Sequence, residues 1–369
     1  MKIERIELRE IHLQLKEYFE TSFGRESRRR ILLVRLYGDG QTGYGECVAG
    51  GEGPFYSSET IDTCRLMIES YIGPMVLGRS FERALDIFPA LAKVRGHRMA
   101  KAGIEMAAWD LEARLCRMPL YRLLGGTRNR IEVGVSIGIQ ETVPVLLEKI
   151  SGYLKDGYRR IKLKIKPGWD EHVLRRVRAE FPDVPLMADA NSAYTLADTA
   201  LFESLDDLDL MMFEQPLDYE DIIDHAQLQS RLATPICLDE SIHTPDHARQ
   251  ALDLGSCRMI NIKPGRLGGH SQSRIVHDLC QERGYPVWHG GMLESGIGRA
   301  HNIALATLPN FRLPGDISAS RRYWTADIIE PEVEMDSAGC VVALDEPGIG
   351  YRPNEKRIEE LVVRRDVIK

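Results

Sequence analysis

RRIKLKI at 159–165, PLMADAN at 185–191, LMMFEQP at 210–216, PICLDES at 235–241 and MINIKPG at 259–265 share one pattern, a short apolar run ending in ionisable residues. Runs of this length, rich in Ile, Leu and Met and bounded by Pro, Gly, Asn or Asp, read as buried strands. Lys164, Asp189, Glu214, Asp239 and Lys263 stand at corresponding places in the five runs, separated in turn by 25, 25, 25 and 24 residues. The stretches HVLRRVRAEF, TLADTALFESL and HARQALDLG between the runs, and SRIVHDLCQERG after them, are amphipathic and long enough to be crossover helices. IEVGVSIGI at 131–139, YPVWHGG at 285–291 and FRLPGD at 311–316 extend the series to eight strand candidates. Eight β/α units over 126–320 argue for a closed parallel α/β barrel, with an open, doubly wound sheet as the alternative.

Outward from this core the pattern changes. Residues 3–15 alternate as IERIELREIHLQL, ILLVRLYG follows, and a Gly-rich turn from Gly38 to Gly43 leads into YGECVAG. That is an antiparallel meander. From Ser57 to Leu124 the apolar spacing becomes helical, as in TIDTCRLMIESYIGPMV and MAKAGIEMAAWDLEARL, before the Gly125-Gly126 stop. An α+β domain is expected over 1–125 and the barrel over 126–320. Segment 321–369 has no place in the barrel and is expected to return to the first domain.

Composition sets the class. The chain has 369 residues, 43% hydrophobic and 28% charged, enough to bury a large core and too apolar for disorder. A net charge of −7 without long like-charge blocks argues against a nucleic-acid partner. No uncharged apolar run approaches the roughly 18 residues of a membrane span, and MKIERIELRE lacks a signal peptide's apolar stretch. A soluble, cytoplasmic protein is expected. Cys47, Cys64, Cys116, Cys237, Cys257, Cys280 and Cys340 are scattered, with no CxxC pair, and read as reduced, mostly buried thiols.

In a barrel the C-terminal strand ends converge on one mouth. Three carboxylates gathered there need a cation, or they repel and take up protons. An all-oxygen set without matching Cys or His favours Mg²⁺ or Mn²⁺ over zinc. In Lys162-Leu163-Lys164 the period of two puts both lysines on one face, turned into the barrel. Burial beside a second ammonium brings Lys164 nearer to a neutral base, with Lys162 as its tuning partner. Lys263, with Arg266 three residues on, approaches from the opposite side. Two lysines across a metal suit removal of a proton α to a carboxylate, leading to racemisation or, if a β-hydroxyl leaves, to dehydration. Gly290-Gly291 matches no phosphate-binding loop, and His289 reads as a packed or hydrogen-bonded residue rather than a ligand.

The motifs KLK (162–164), DAN (189–191), EQP (214–216), LDES (238–241) and NIKPGRLGG (261–269) resemble the enolase superfamily, in its muconate-lactonising-enzyme subgroup. FETSFG (19–24), VGVSIGIQ (133–140), DANSAYTLAD (189–198), GGMLESGIGRAHN (290–302) and LPGDISASRRYW (313–324) are similar to the o-succinylbenzoate synthase and N-acylamino acid racemase family within it. The resemblance implies a (β/α)₇β barrel with an α+β capping domain, Lys164 and Lys263 as acid/base pair, and Asp189, Glu214 and Asp239 as Mg²⁺ ligands with Asn191 behind them. It implies a small carboxylate substrate, contacted by Phe19, Thr21, Ser22, Phe23 and Tyr56 of the capping loops and by Ser136, Gly291 and Met292 of the barrel. It further implies dehydration of 2-succinyl-6-hydroxycyclohexa-2,4-diene-1-carboxylate in menaquinone synthesis, with N-succinylamino acid racemisation as the alternative or additional activity, and a homo-oligomer.

Overall fold

The computed structural model describes residues 1–369. Its N-terminal meander is β1 (Arg5–Thr21), β2 (Gly24–Gly38) and β3 (Gln41–Cys47), antiparallel throughout. Asp39 and Gly40 turn β2 into β3 with φ of 48° and 75°, the paired left-handed geometry that tight hairpins favour. Helix α1 (Arg98–Leu115) lies across this sheet and is buried almost all round, because the barrel covers its other side. Its approach to β3 is close: a Cβ on Gly45 would meet the Ala107 nitrogen at 2.9 Å. Only glycine fits there.

The barrel strands are β4 (Val135–Ile137), β5 (Ile161–Lys164), β6 (Leu186–Asp189), β7 (Phe213–Glu214), β8 (Ile236–Leu238), β9 (Met259–Ile262) and β10 (Val287–His289). They form one parallel sheet in sequence order. The helices between them include α2 (Val143–Asp156), α3 (Glu171–Glu180), α4 (Thr199–Ser204), α5 (Ile223–Gln229), α6 (Pro245–Leu254) and α7 (His270–Glu282), with α8 (Gly296–Ala306) after β10. Strand β11 (Val362–Ile368) pairs antiparallel with β1 and completes a four-stranded sheet.

Two strand candidates need correction. Residues 131–139 are not one strand: Arg130–Glu132 pairs antiparallel with Cys340–Val342, and β4 begins only after Gly134. Residues 311–316 form no eighth ladder, since Pro314 has no N–H to give. They contribute single bridges, Phe311 to Val287 and Gly315 to Val133. The Asp316 N–H donates to the His289 carbonyl at 2.8 Å and Gly134 N–H to the Gly315 carbonyl at 2.8 Å. This irregular segment therefore joins β10 to the start of the barrel, giving the (β/α)₇β form rather than eight regular strands.

Two buried carboxylates of the capping domain seat it on the barrel. Glu105 of α1 accepts the N–H groups of His270 at 2.7 Å and Ser271 at 2.9 Å, at the start of α7, and the Trp109 indole N–H at 2.7 Å. Glu46 of β3 does the same for α8, accepting the N–H groups of Ser295 at 3.1 Å and Gly298 at 2.9 Å. Helix N-termini present unpaired donors and a positive dipole end, which suit a carboxylate. Burial pushes Glu105 up to about 7 and Glu46 up to about 8, with these hydrogen bonds opposing the shift. Replacing Glu105 by Ala leaves three N–H donors without their acceptor, for an expected loss of about 2–4 kcal/mol. Urea unfolding followed by tryptophan fluorescence measures it, and an unchanged midpoint would show that the Glu105 contacts carry no stability.

Candidate active site

The row of charges at the barrel mouth follows from strand register. Lys164 stands opposite Asp189, and Asp189 opposite Glu214, as β5, β6 and β7 end together. Asp239 and Lys263 follow directly on the last residues of β8 and β9. Asp189, Glu214 and Asp239 are 0% exposed, Lys162 2%, Lys263 5% and Lys164 7%. Buried charges must be paired, and these are. Lys164 Nζ donates to Asp189 Oδ2 at 2.5 Å and Asn191 Oδ1 at 2.7 Å. Lys162 Nζ lies 3.0 Å from both Asp189 Oδ2 and Glu214 Oε2, and 2.8 Å from Asp316 Oδ2. Lys263 Nζ donates to Asp239 Oδ2 at 2.6 Å and to the Tyr56 hydroxyl at 2.9 Å. Arg266 pairs with the other Asp239 oxygen and donates to the Asn261 carbonyl at 2.5 Å.

These surroundings push the two cavity-facing lysines apart. Burial, with help from Lys162, holds Lys164 below the usual lysine value against the pull of Asp189. Burial works the same way on Lys263, but Tyr56, Glu240 and Glu214 outweigh it and hold Lys263 above that value. Lys162 is likewise held above it by Asp316, Glu214 and Asp189.

Lys164, Asn191 and Lys263 line one cavity with Phe19, Thr21, Phe23, Tyr56, Gly291 and Met292, enclosing about 870 Å³ with its open mouth. Ser22 and Ser136, expected among its lining, are not there. Ser22 donates its hydroxyl to the Asn191 carbonyl at 3.0 Å, fastening the capping loop to the barrel. Ser136 sits on β4 opposite Lys162, two residues deeper than Lys164, with its hydroxyl buried and unpartnered. His289 makes no side-chain hydrogen bond, and its ring packs 5.9 Å from Phe311.

Other contributors carry little sequence signal. The Gln215 side chain accepts the Asp239 N–H at 3.0 Å and the Ser241 N–H at 3.2 Å, pinning the turn that holds Asp239. Asn261 donates to Glu214 Oε1 at 2.7 Å. Arg160 holds Asp316 at 2.7 Å, and Asp316 holds Lys162. Arg29 lines the cavity and donates to the Val48 and Met292 carbonyls, each at 3.3 Å, joining two loops of its rim. Gln215, Glu240 and Asp316 do lie inside quoted stretches, EQP, LDES and LPGDISASRRYW, whereas no quoted stretch contains Arg29. Asn191 and Gln215 have φ of 43° and 38°, a conformation that costs energy in non-glycine residues and gathers at functional sites.

No three acidic, His or Cys side chains converge tightly enough here to cage a cation unaided. Each carboxylate instead faces a lysine or arginine. The donor set nevertheless fits a hard divalent ion: three fully buried carboxylates on adjacent strand ends, all oxygen.

Residues 5–125 match the mandelate racemase/muconate lactonizing enzyme N-terminal domain, and residues 146–357 match the enolase C-terminal domain-like model. An o-succinylbenzoate synthase from Geobacillus kaustophilus is 53% identical over 97% of this chain and 96% of its own length. An N-succinylamino acid racemase from Thermus thermophilus is 51% identical over 95% and 94%. A solved enolase-superfamily structure from Listeria innocua superposes with a TM-score of 0.96 at 39% identity, covering 100% of this chain and 99% of that one. The paired strand-end charges, the capping domain and these matches over both parts of the chain make it a member of the mandelate racemase/muconate lactonizing enzyme family of the enolase superfamily.

Proposed function

We propose that this protein is an o-succinylbenzoate synthase, dehydrating 2-succinyl-6-hydroxycyclohexa-2,4-diene-1-carboxylate, and that the same site racemises N-succinylamino acids. Relatives of both names lie at 51–53% identity. One observation carries the chemistry: Lys164 and Lys263 enter a single cavity from strands separated by β6, β7 and β8, with three buried carboxylates between them. In this reading residues 1–125 cover the substrate, 126–320 perform the chemistry, and 321–369 tie the two together.

Asp189, Glu214 and Asp239 would hold the divalent ion, Mg²⁺ in the first instance. When bound, such an ion supplies positive charge to a substrate carboxylate that is gaining a second negative charge. Lys164, as the neutral amine, takes the α-proton while the C–H electron pair moves towards the carboxylate. The β-hydroxyl then leaves with its bonding pair, takes that proton from Lys164 as water, and the ring becomes aromatic. Lys263 stays charged and donates N–H to the opposite face, held in place by Asp239 and Tyr56. For an N-succinylamino acid, which has no leaving hydroxyl, Lys263 gives its proton to the α-carbon instead and inverts it. Phe19, Phe23 and Met292 supply apolar walls for the ring or side chain.

Purified protein with Mg²⁺ is expected to dehydrate the cyclohexadiene and, in D₂O, to exchange the α-hydrogen of N-succinylphenylalanine. Lys164→Ala should lower dehydration by about 10²–10⁴-fold, the usual loss of a positioned acid or base, and Lys263→Ala by about 10²–10³-fold, the usual loss of a donor that stabilises developing negative charge. Dehydration retained in Lys164→Ala would remove the assignment. Mg²⁺ should also raise the melting temperature of the wild type, as any ligand selective for the folded state does. Asp189→Asn combined with Asp239→Asn should abolish that rise, and a full rise in the double variant would place the ion elsewhere.

A further inference from the structure

Glu240 is 4% exposed, and its Oε2 has no hydrogen-bond partner. Its other oxygen accepts the Asn191 Nδ2–H at 2.8 Å, while Asn191 Oδ1 accepts from Lys164 Nζ at 2.7 Å. The three side chains form a line, carboxylate to amide to amine. An amide has one donor end and one acceptor end, and its neighbours decide which way round it sits. A carboxylate only accepts, so Glu240 can be faced only by the NH₂ end. The carbonyl end is thereby turned to Lys164, where an ammonium or amine N–H needs an acceptor. Asn191 has no slack elsewhere: its backbone sits at φ 43°, and its carbonyl is engaged by Ser22 of the capping loop.

On the other side of the cavity Glu240 makes no hydrogen bond to Lys263 and reaches it only as a charge that helps hold it above the usual lysine value. Lys263 takes its direction from Asp239 and Tyr56. We infer that Glu240 is a positioning residue for Lys164 alone: it fixes the orientation of the Asn191 amide, and the amide aims the amine at the substrate's α-carbon from one face. Loss of Glu240 frees the amide to turn its NH₂ end towards Lys164, where two donors would meet and push the amine aside. A shift of about 1 Å in a reacting group costs on the order of 100-fold in rate. The inference rests on the two-lysine reading above and extends it by separating the supports of the two lysines.

Enantiomer-resolved exchange tests it. D- and L-N-succinylphenylalanine are each followed in D₂O by NMR, with Mn²⁺ affinity measured in parallel by electron paramagnetic resonance. Lys164→Ala and Lys263→Ala first assign one enantiomer to each lysine; if they do not divide the enantiomers, the two-lysine reading itself fails. Given that division, Glu240→Ala should lower exchange of the Lys164-dependent enantiomer by about 100-fold and lower the Lys263-dependent one by no more than about threefold. The second enantiomer also reports that the variant is folded. Glu240→Gln can still accept from Asn191 through its carbonyl oxygen, so it should recover most of the loss. Equal effects on both enantiomers, or none on either, would overturn the inference. So would a fall of about tenfold or more in Mn²⁺ affinity, the size expected for a group that supports the metal ligands.

Discussion

Three carboxylates fully removed from water must be matched by positive charge, and the structure around the barrel mouth is arranged by that demand. Asp189 and Glu214 share Lys162, Asp189 also meets Lys164, and Asp239 is held between Lys263 and Arg266. A site of this kind has two ways to balance its charge, through its own lysines or through a divalent ion. Were an ion to be held by the carboxylates, the cavity-facing lysines would be free to face a substrate. The same carboxylates thus keep the lysines buried and in place without consuming their chemistry. Lys162 differs from the other two because Asp316, itself pinned by Arg160, gives it a partner away from the cavity.

That mouth needs a lid, and the lid needs a fixed seat. Glu46 and Glu105 provide it by capping barrel helices from inside the other domain, so the capping sheet cannot slide without exposing helix N-termini. Ser22 and Arg29 then carry the connection to the cavity rim, one to Asn191 and the other to Met292. Phe23 and Tyr56, the cavity-lining loop residues to which we assign substrate choice, are in this way linked mechanically to the residues that hold the proposed acid/base groups.

The periodic part of this arrangement was legible in the sequence. A repeat of 25 residues is one β/α unit, so Lys164, Asp189 and Glu214 could be placed side by side before any coordinates were known. The meander and the buried helix were legible for the same reason, a clear period of two or of 3.6. What escaped was everything that depends on distant pairing. The closing segment was placed in the barrel, but the break that Pro314 makes in its ladder was not. Glu105 is one acidic residue within a helix until it meets an N-terminus 165 residues further on. Ser136 shows the converse failure: it shares a strand with the site, but strand depth relative to Lys162 depends on register, which the pattern of one strand does not contain.

In the proposed reaction the two lysines address opposite faces of one carbon whose carboxylate is held at Asp189, Glu214 and Asp239. A crystal structure with Mg²⁺ and o-succinylbenzoate tests it most directly. The expected result places the ring carboxylate at those three side chains, with Lys164 Nζ and Lys263 Nζ on opposite faces of the carbon that bears it. A product carboxylate bound away from the three acids, or both lysines on the same face, would contradict the account.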